Sequence, residues 1–354
     1  MTDILVIGGG VAGLSAAAAL SEDATVTVLE GEAALGYHAS GRSAALFEEA
    51  YGSAPVRALN RASRAYHEAA GVLSPRGFLM VGLADEKESF AADLADMGLE
   101  EVSSNEARAM VPILSEKITF AGYESAAMDV DVDQLMQGYA RTIRANGGTV
   151  RTLSQVGEIA RIGGGWQVRV GDETHEARTL VNAGGAWADD IARLAGVAPV
   201  GLQPFRRSMA RLPAPGSQDV TAWPMIFGPG ETWYAKPDAG ALLVSPAEED
   251  PVAPMDAWAD DMVIAEGLAR YEMRVTEPVQ RLLTTWAGLR TFAPDRALVL
   301  GRDPVVPDFV WVAGQGGYGV QTSPAAGRLV ADLVNGRQPE LDGDAVRALS
   351  PSRF

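Results

Sequence analysis

The sequence predicts an α/β protein in which a Rossmann-like, dinucleotide-binding domain is joined to a second domain built on an antiparallel sheet. Three observations carry that prediction. At the N-terminus the apolar run Ile4–Ile7 enters Gly8-x-Gly10-x-x-Gly13, an Ala-rich stretch follows from Leu14 to Leu20, and a second run, Thr25–Leu29, ends on Glu30. At the C-terminus Phe309–Ala313 enters Gly314-Gln315-Gly316-Gly317-Tyr318-Gly319 and a helical stretch, Ser323–Val334, so that strand, glycine turn and helix recur. Between them, from Gly201 to Trp286, prolines, tryptophans and alternating runs such as Thr232–Lys236 and Ala241–Val244 mark a different texture.

In the N-terminal unit Gly8 permits the tight turn, Gly10 lets backbone N–H groups approach a pyrophosphate, and Gly13 lets helix and strand pack closely; the helix N-terminus supplies a positive dipole end. Glu30 lies 17 residues after Gly13, at the tip of the second strand, where its carboxylate accepts ribose hydroxyls and repels a 2′-phosphate. Three successive glycines interrupt the apolar run far short of the roughly 20 residues of a membrane span, and Asp3 stands where a signal peptide would be basic. Gly31–Ala50 is rich in small residues with one cation, Arg42, and Ser40 and Ser43 are candidates for phosphate oxygens.

Arg57–Ala69 has helical spacing with a basic, solvated face, and His67 at its end is expected to be exposed. Leu79–Leu83 reads as a strand, Lys87–Met97 and Ser104–Met110 as helices, the latter stopped by Pro112, and Ile118–Tyr123 as a strand. Asp131–Ala145 is a helix with an N-terminal Asp and an Asn146-Gly147-Gly148 stop. Thr149–Leu153, Ile159–Ile162, Trp166–Val170 and His175–Arg178 read as consecutive strands of an antiparallel insert. Leu180–Ala183 reads as a separate short strand ending on Gly184-Gly185-Ala186-Trp187, suited to a second close approach to the dinucleotide, before a helix over Ala188–Ala195. Asp261–Tyr271 is a helix set against the second sheet.

The 354 residues exceed one comfortable core and suit two domains. A net charge of -17 argues against nucleic acid and against anionic membrane surfaces. Any anionic substrate group must therefore be met by a local pocket of arginines. There is no cysteine, so disulfides, thiolate metal sites and a cysteine-linked flavin are excluded; the three histidines, His38, His67 and His175, stand at no metal-ligand spacing, and no metal site is expected. With no targeting signal read, the expected location is the cytoplasm.

Segments along nearly the whole chain resemble the FAD-dependent D-amino acid oxidase superfamily, and within it the D-arginine dehydrogenase group: GYHASGRSAA (Gly36–Ala45), AYG (Ala50–Gly52), LSPR (Leu73–Arg76), LVNAGGAW (Leu180–Trp187), LQPFRRS (Leu202–Ser208), YAKPDAG (Tyr234–Gly240), TWAGLRTF (Thr285–Phe292) and WVAGQGGYGVQTS (Trp311–Ser323). The resemblance implies a discontinuous FAD-binding domain (1–50, 126–200 and 286–354) and a substrate domain (51–125 and 201–285). It places FAD, held non-covalently, against Gly8, Gly10, Val11, Ala12, Gly13, Glu30 and Gly31, and against Ala39, Ser40, Arg42, Ser43, Ala44 and Ala45. Further contacts implied are Val156, Ala183, Gly184, Trp187, Gly288 and Arg290, then Gly316, Gly317, Tyr318, Gly319, Val320, Gln321 and Thr322. His38 does not stand where a histidyl–flavin link is expected.

By the same resemblance the substrate carboxylate is held by Arg207, second of the Arg206–Arg207 pair, and by Arg290, with Tyr51 and Tyr234 adding directed hydrogen bonds and Gly317 offering its carbonyl to the amine. The implied reaction is oxidation of an amino acid, its α-hydrogen passing to flavin N5 and the imine hydrolysing to a 2-oxo acid and ammonia; a quinone, another acceptor or O2 would reoxidise the flavin. A glycine, sarcosine or other secondary-amine oxidase and a partner-dependent flavoprotein subunit are the alternatives. Two departures from the group's pattern stand out. The glutamate that reads a cationic side chain after LSPR is replaced by Gly77-Phe78-Leu79, and the histidine after GRSAA by Leu46. Both exchanges favour a neutral, apolar substrate side chain over arginine or lysine, although Glu48 and Glu49 lie nearby.

Overall fold

The computed structural model describes residues 2–354. Its first sheet grows from the strand Thr2–Ile7, whose last four residues are buried. A strand buried on both faces must be flanked by others, and it pairs in parallel with Val26–Leu29 on one side and with Glu173–Asn182 on the other. Thr149–Arg151 extends the sheet in parallel beyond Val26–Leu29, and Phe309–Ala313 runs parallel to Leu180–Asn182. Val156–Ile162, Gly165–Val170 and Val299–Arg302 complete eight strands as antiparallel additions.

Two expectations need correcting here. Thr149–Arg151 belongs to the parallel core and not to the antiparallel insert. His175–Arg178 and Leu180–Ala183 are one strand of ten residues, Glu173–Asn182, antiparallel to Gly165–Val170 in its first half and parallel to Thr2–Ile7 at its end. The insert is therefore continuous with the cofactor sheet.

The helix Val11–Leu20 packs on this sheet against Gly319–Asn335, which starts earlier than the apolar pattern suggested. Their backbones approach closely: a Cβ on Gly327 would stand 2.6 Å from the Ser15 carbonyl. Leu14, Val28, Val312 and Leu329 fill the core between helices and sheet, while Trp166, Phe309 and Trp311 pack on the other face.

The second sheet has nine strands, antiparallel apart from the parallel pair Met225–Phe227 and Phe78–Gly82. Its longest ladder joins Gln203–Pro213 to Thr284–Phe292, a strand within which the expected 285/286 boundary falls. A small third sheet links Leu46–Phe47, Met128–Val130 and Leu73–Pro75. The helix Ala54–Ala69 departs from expectation at one residue: His67 is fully buried, its Nε2 2.9 Å from the Gln321 carbonyl oxygen, and burial pulls its pKa below the ordinary value. Among the described residues no helix is long and apolar enough to cross a membrane.

Candidate active site

A cavity of about 430 Å³ runs from the first glycine turn to the face of the second sheet. At the first end Gly8 adopts φ +111°, and a Cβ there would lie 2.3 Å from the Ala183 carbonyl oxygen, so glycine is required both for the turn and for the contact. Glu30 is already oriented: Oε2 accepts from Gly9 N at 2.6 Å and Oε1 from Glu32 N at 2.8 Å. Ser40 Oγ accepts from Val11 N at 3.0 Å and thereby caps the first turn of the N-terminal helix beside the cavity.

Sheet register sets the other end. Arg290 stands opposite Phe205 in the antiparallel ladder, and Arg207, two residues further, shares that face, so the two arginines are diagonal neighbours, about 7–8 Å apart at the backbone. Tyr234, on Tyr234–Asp238, joins them in the cavity wall with Met209. Arg207 is 7% exposed; its Nη2 lies 3.3 Å from Glu249 Oε1, while Nε and Nη1 are buried without a partner. These two nitrogens carry three N–H donors with no protein partner. Arg290 lies against Gly317, where a Cβ would be 3.0 Å from its Cζ. Burial opposes the charge of Arg290, but Tyr51, Tyr234 and Glu231 around it hold its pKa above the usual range.

Tyr51 and the later part of the glycine segment stand behind the wall. The Tyr51 hydroxyl donates to Glu231 Oε2 at 3.1 Å, its ring packs 5.2 Å from that of Tyr318, and burial raises its pKa. Gln321 accepts from Glu48 N at 3.0 Å, and Thr322 donates to the Tyr318 carbonyl at 2.9 Å. Gly13 packs against the turn, where a Cβ would fall 2.0 Å from Gly8 O. Ala45 faces Lys236. The remaining cofactor candidates, Gly10, Val11, Ala12, Gly31, Ala39, Ser43, Ala44, Val156, Gly184, Trp187, Gly288, Gly316, Gly319 and Val320, line the cavity.

Arg42 lines it too, but its guanidinium is engaged: Nη1 donates to the Ala257 and Ala287 carbonyls, both at 2.9 Å, and Nη2 to Asp256 at 2.5 Å. It ties the Gly36–Ala45 loop to the second sheet rather than offering charge to a phosphate. Residues the sequence reading missed include Gln155, Met209, Thr291 and Gln315. Gln315 sits within the glycine segment and Thr291 beside Arg290, so both were within reach of the motifs; Gln155 and Met209 arrive through tertiary packing.

The first end of the cavity fits an adenosine diphosphate: glycine backbone at a helix N-terminus beside an oriented carboxylate, Glu30. The chain belongs to the FAD dependent oxidoreductase (DAO) family, which matches residues 3–333. Its relatives include the tRNA 5-methylaminomethyl-2-thiouridine biosynthesis bifunctional protein MnmC of Thiobacillus denitrificans, 28% identical over 99% of this chain. This chain spans only 59% of that protein's length. Glycine oxidase of Geobacillus kaustophilus is 25% identical over 96% of this chain and 94% of its own. The crystal structure of glycine oxidase from that organism superposes over 100% of this chain and 99% of its own, with a TM-score of 0.86 at 22% identity. The protein is thus an FAD-dependent oxidoreductase of the DAO family, with a DAO-type fold.

Proposed function

We propose that the protein oxidises D-amino acids with neutral, apolar side chains to imino acids, which hydrolyse to 2-oxo acids and ammonia. The observation that carries this reading is the arginine pair on one sheet face: Arg207, Arg290 and Tyr234 line one cavity, and Nε and Nη1 of Arg207 have no protein partner. A planar guanidinium grips a carboxylate through two parallel N–H groups, which fixes the Cα–H bond in space. Non-covalent FAD, held by Gly8, Gly10 and Glu30 at one end and by Ala44, Gly288 and Gly316 at the other, would supply the two-electron acceptor. His38, the one histidine in the wall, is bound to Glu32 at 2.9 Å and packs 4.7 Å from Trp187.

Side-chain preference follows from what adjoins the arginines. Met209, Tyr234 and Ala44 belong to an apolar cluster that continues through Leu46 to Phe78 and Phe227, whose rings stack 4.0 Å apart. That cluster offers a cationic side chain no partner, and Glu249, the carboxylate beside Arg207, is already engaged by Arg296. Measuring 2-oxo acid and ammonia from D-leucine, D-methionine, D-phenylalanine, D-arginine and the L-enantiomers tests the reading. A higher specificity constant for D-arginine than for the apolar three overturns it. A second reading, oxidation of glycine or a secondary amine, is favoured by the full-length likeness to a glycine oxidase; preferential turnover of glycine or sarcosine would select it.

A further inference from the structure

Behind the wall lies a partly buried ionic cluster that the carboxylate clamp does not use. Lys236, 8% exposed, sits two residues after Tyr234 on the same strand and therefore on the same face. Its Nζ lies 2.8 Å from Asp129 Oδ1 and donates to the carbonyls of Ala44 and Ala45, the latter at 3.3 Å. Ala44 lines the cavity, and Ala45 has φ +45°, a left-handed conformation costly for any residue with a Cβ. Asp129 is shared: Arg76 Nε donates to its Oδ2 at 2.7 Å, and Arg76 Nη1 donates to the Thr221 and Trp223 carbonyls, both at 2.8 Å. Two cations thus divide one carboxylate. Asp238, the other carboxylate acting on Lys236, is itself bound by Arg211 at 2.9 Å. Burial lowers the Lys236 pKa, while Asp129 beside it favours the charged form; with Lys236 and Arg76 on one carboxylate, the cluster carries one positive charge in excess within a residue of the cavity wall.

We infer that Lys236 is a positioning residue that pins the Ala44–Ala45 turn and sets this excess charge behind the ring end of the FAD site, where it favours the reduced flavin. The inference rests on the placement of the ring end beside Ala44 and Tyr234. Reduction by two electrons adds negative charge to the ring system, so a fixed cation nearby raises the midpoint potential. The two members of the pair then act in opposite senses. In dye-coupled reductive titrations of the FAD-loaded protein, Lys236→Met lowers the potential, Lys236→Arg holds it near wild type, and Asp129→Asn raises it. A potential unchanged in both Lys236→Met and Asp129→Asn, or displaced in the same direction by both, overturns the inference, since loosened packing has no reason to reverse sign. If Lys236→Met fails to retain FAD, the decision falls to Asp129→Asn, and a potential that does not rise overturns it. The titration needs no amino acid. A flavin reducible by dye but by no amino acid refutes the proposed function and leaves this result standing.

Discussion

Replacing Arg207 by Met separates a ligand-binding arginine from a structural one. Wild type holds two guanidinium nitrogens, Nε and Nη1, buried and unpartnered, and the contact of Nη2 to Glu249 is long at 3.3 Å. Glu249 keeps its other cation, Arg296, at 2.9 and 3.0 Å, so the substitution leaves no bare carboxylate there. Burying an unpaired charge is destabilising, and an apolar side chain of similar length is expected to be neutral or stabilising before ligand binds. Each charge-assisted hydrogen bond lost to the substrate is worth about 1.5–3 kcal/mol, so two amount to about 3–6 kcal/mol. At about 1.4 kcal/mol per decade, kcat/KM should fall by about 10²–10⁴. The assay is steady-state turnover of D-leucine beside thermal unfolding of the same preparations. Arg207→Met with kcat/KM within tenfold of wild type and a clearly lower Tm would refute the reasoning, because the arginine would then be a structural partner of Glu249.

Three further outcomes follow from other contacts. Gly8→Ala places a Cβ 2.3 Å from the Ala183 carbonyl at a φ that disfavours it, so FAD affinity should fall at least tenfold, read by flavin fluorescence on dilution; unchanged affinity would show that the turn yields. Glu30→Ala frees the N–H groups of Gly9 and Glu32 and removes the ribose acceptor, weakening FAD retention while leaving the visible spectrum of the remaining flavin as in wild type; a shifted spectrum would place Glu30 elsewhere. His67 is held neutral by burial, its pKa below the ordinary 6.5, so its contribution is complete above about pH 6.5 and is lost as pH falls towards the lowered folded value. Denaturant titrations should show wild type losing stability between pH 7 and 5 more steeply than His67→Gln, by up to about 1.4 kcal/mol per pH unit; equal slopes would contradict this.

The parts of the fold legible in the sequence are those fixed by local chemistry. Ser104–Met110 is the helix expected from the Pro112 stop, and Ser103 and Glu106 cap its start reciprocally. Asp131 caps its helix by accepting from Gln134 N at 2.8 Å. The glycine turn and Glu30 are legible because spacing alone positions them, whereas Arg290 is reached through the resemblance and its strand, Thr284–Phe292, is not read from local pattern. What escaped depends on partners far along the chain. The buried stripe of Ala54–Ala69 includes Asn60, Ser63 and His67 beside Val56 and Leu59, and these small and polar residues disguised a face that packs on Gly319–Asn335. Ser63 Oγ accepts from Ala325 N at 3.2 Å, an interaction across 262 positions. That Arg42 is engaged by Asp256 is not legible, because its partner lies 214 residues away. The strand Glu173–Asn182 was split in two because it changes partners midway, a tertiary property that no local pattern reveals.

The most direct test is anaerobic mixing of the FAD-loaded protein with D-leucine and, separately, L-leucine while the visible flavin band is recorded. The account predicts that D-leucine bleaches the band and L-leucine does not, and that Arg207→Met slows the bleaching by about 10²-fold or more. Bleaching by the L-enantiomer alone, or by no neutral amino acid, would contradict it.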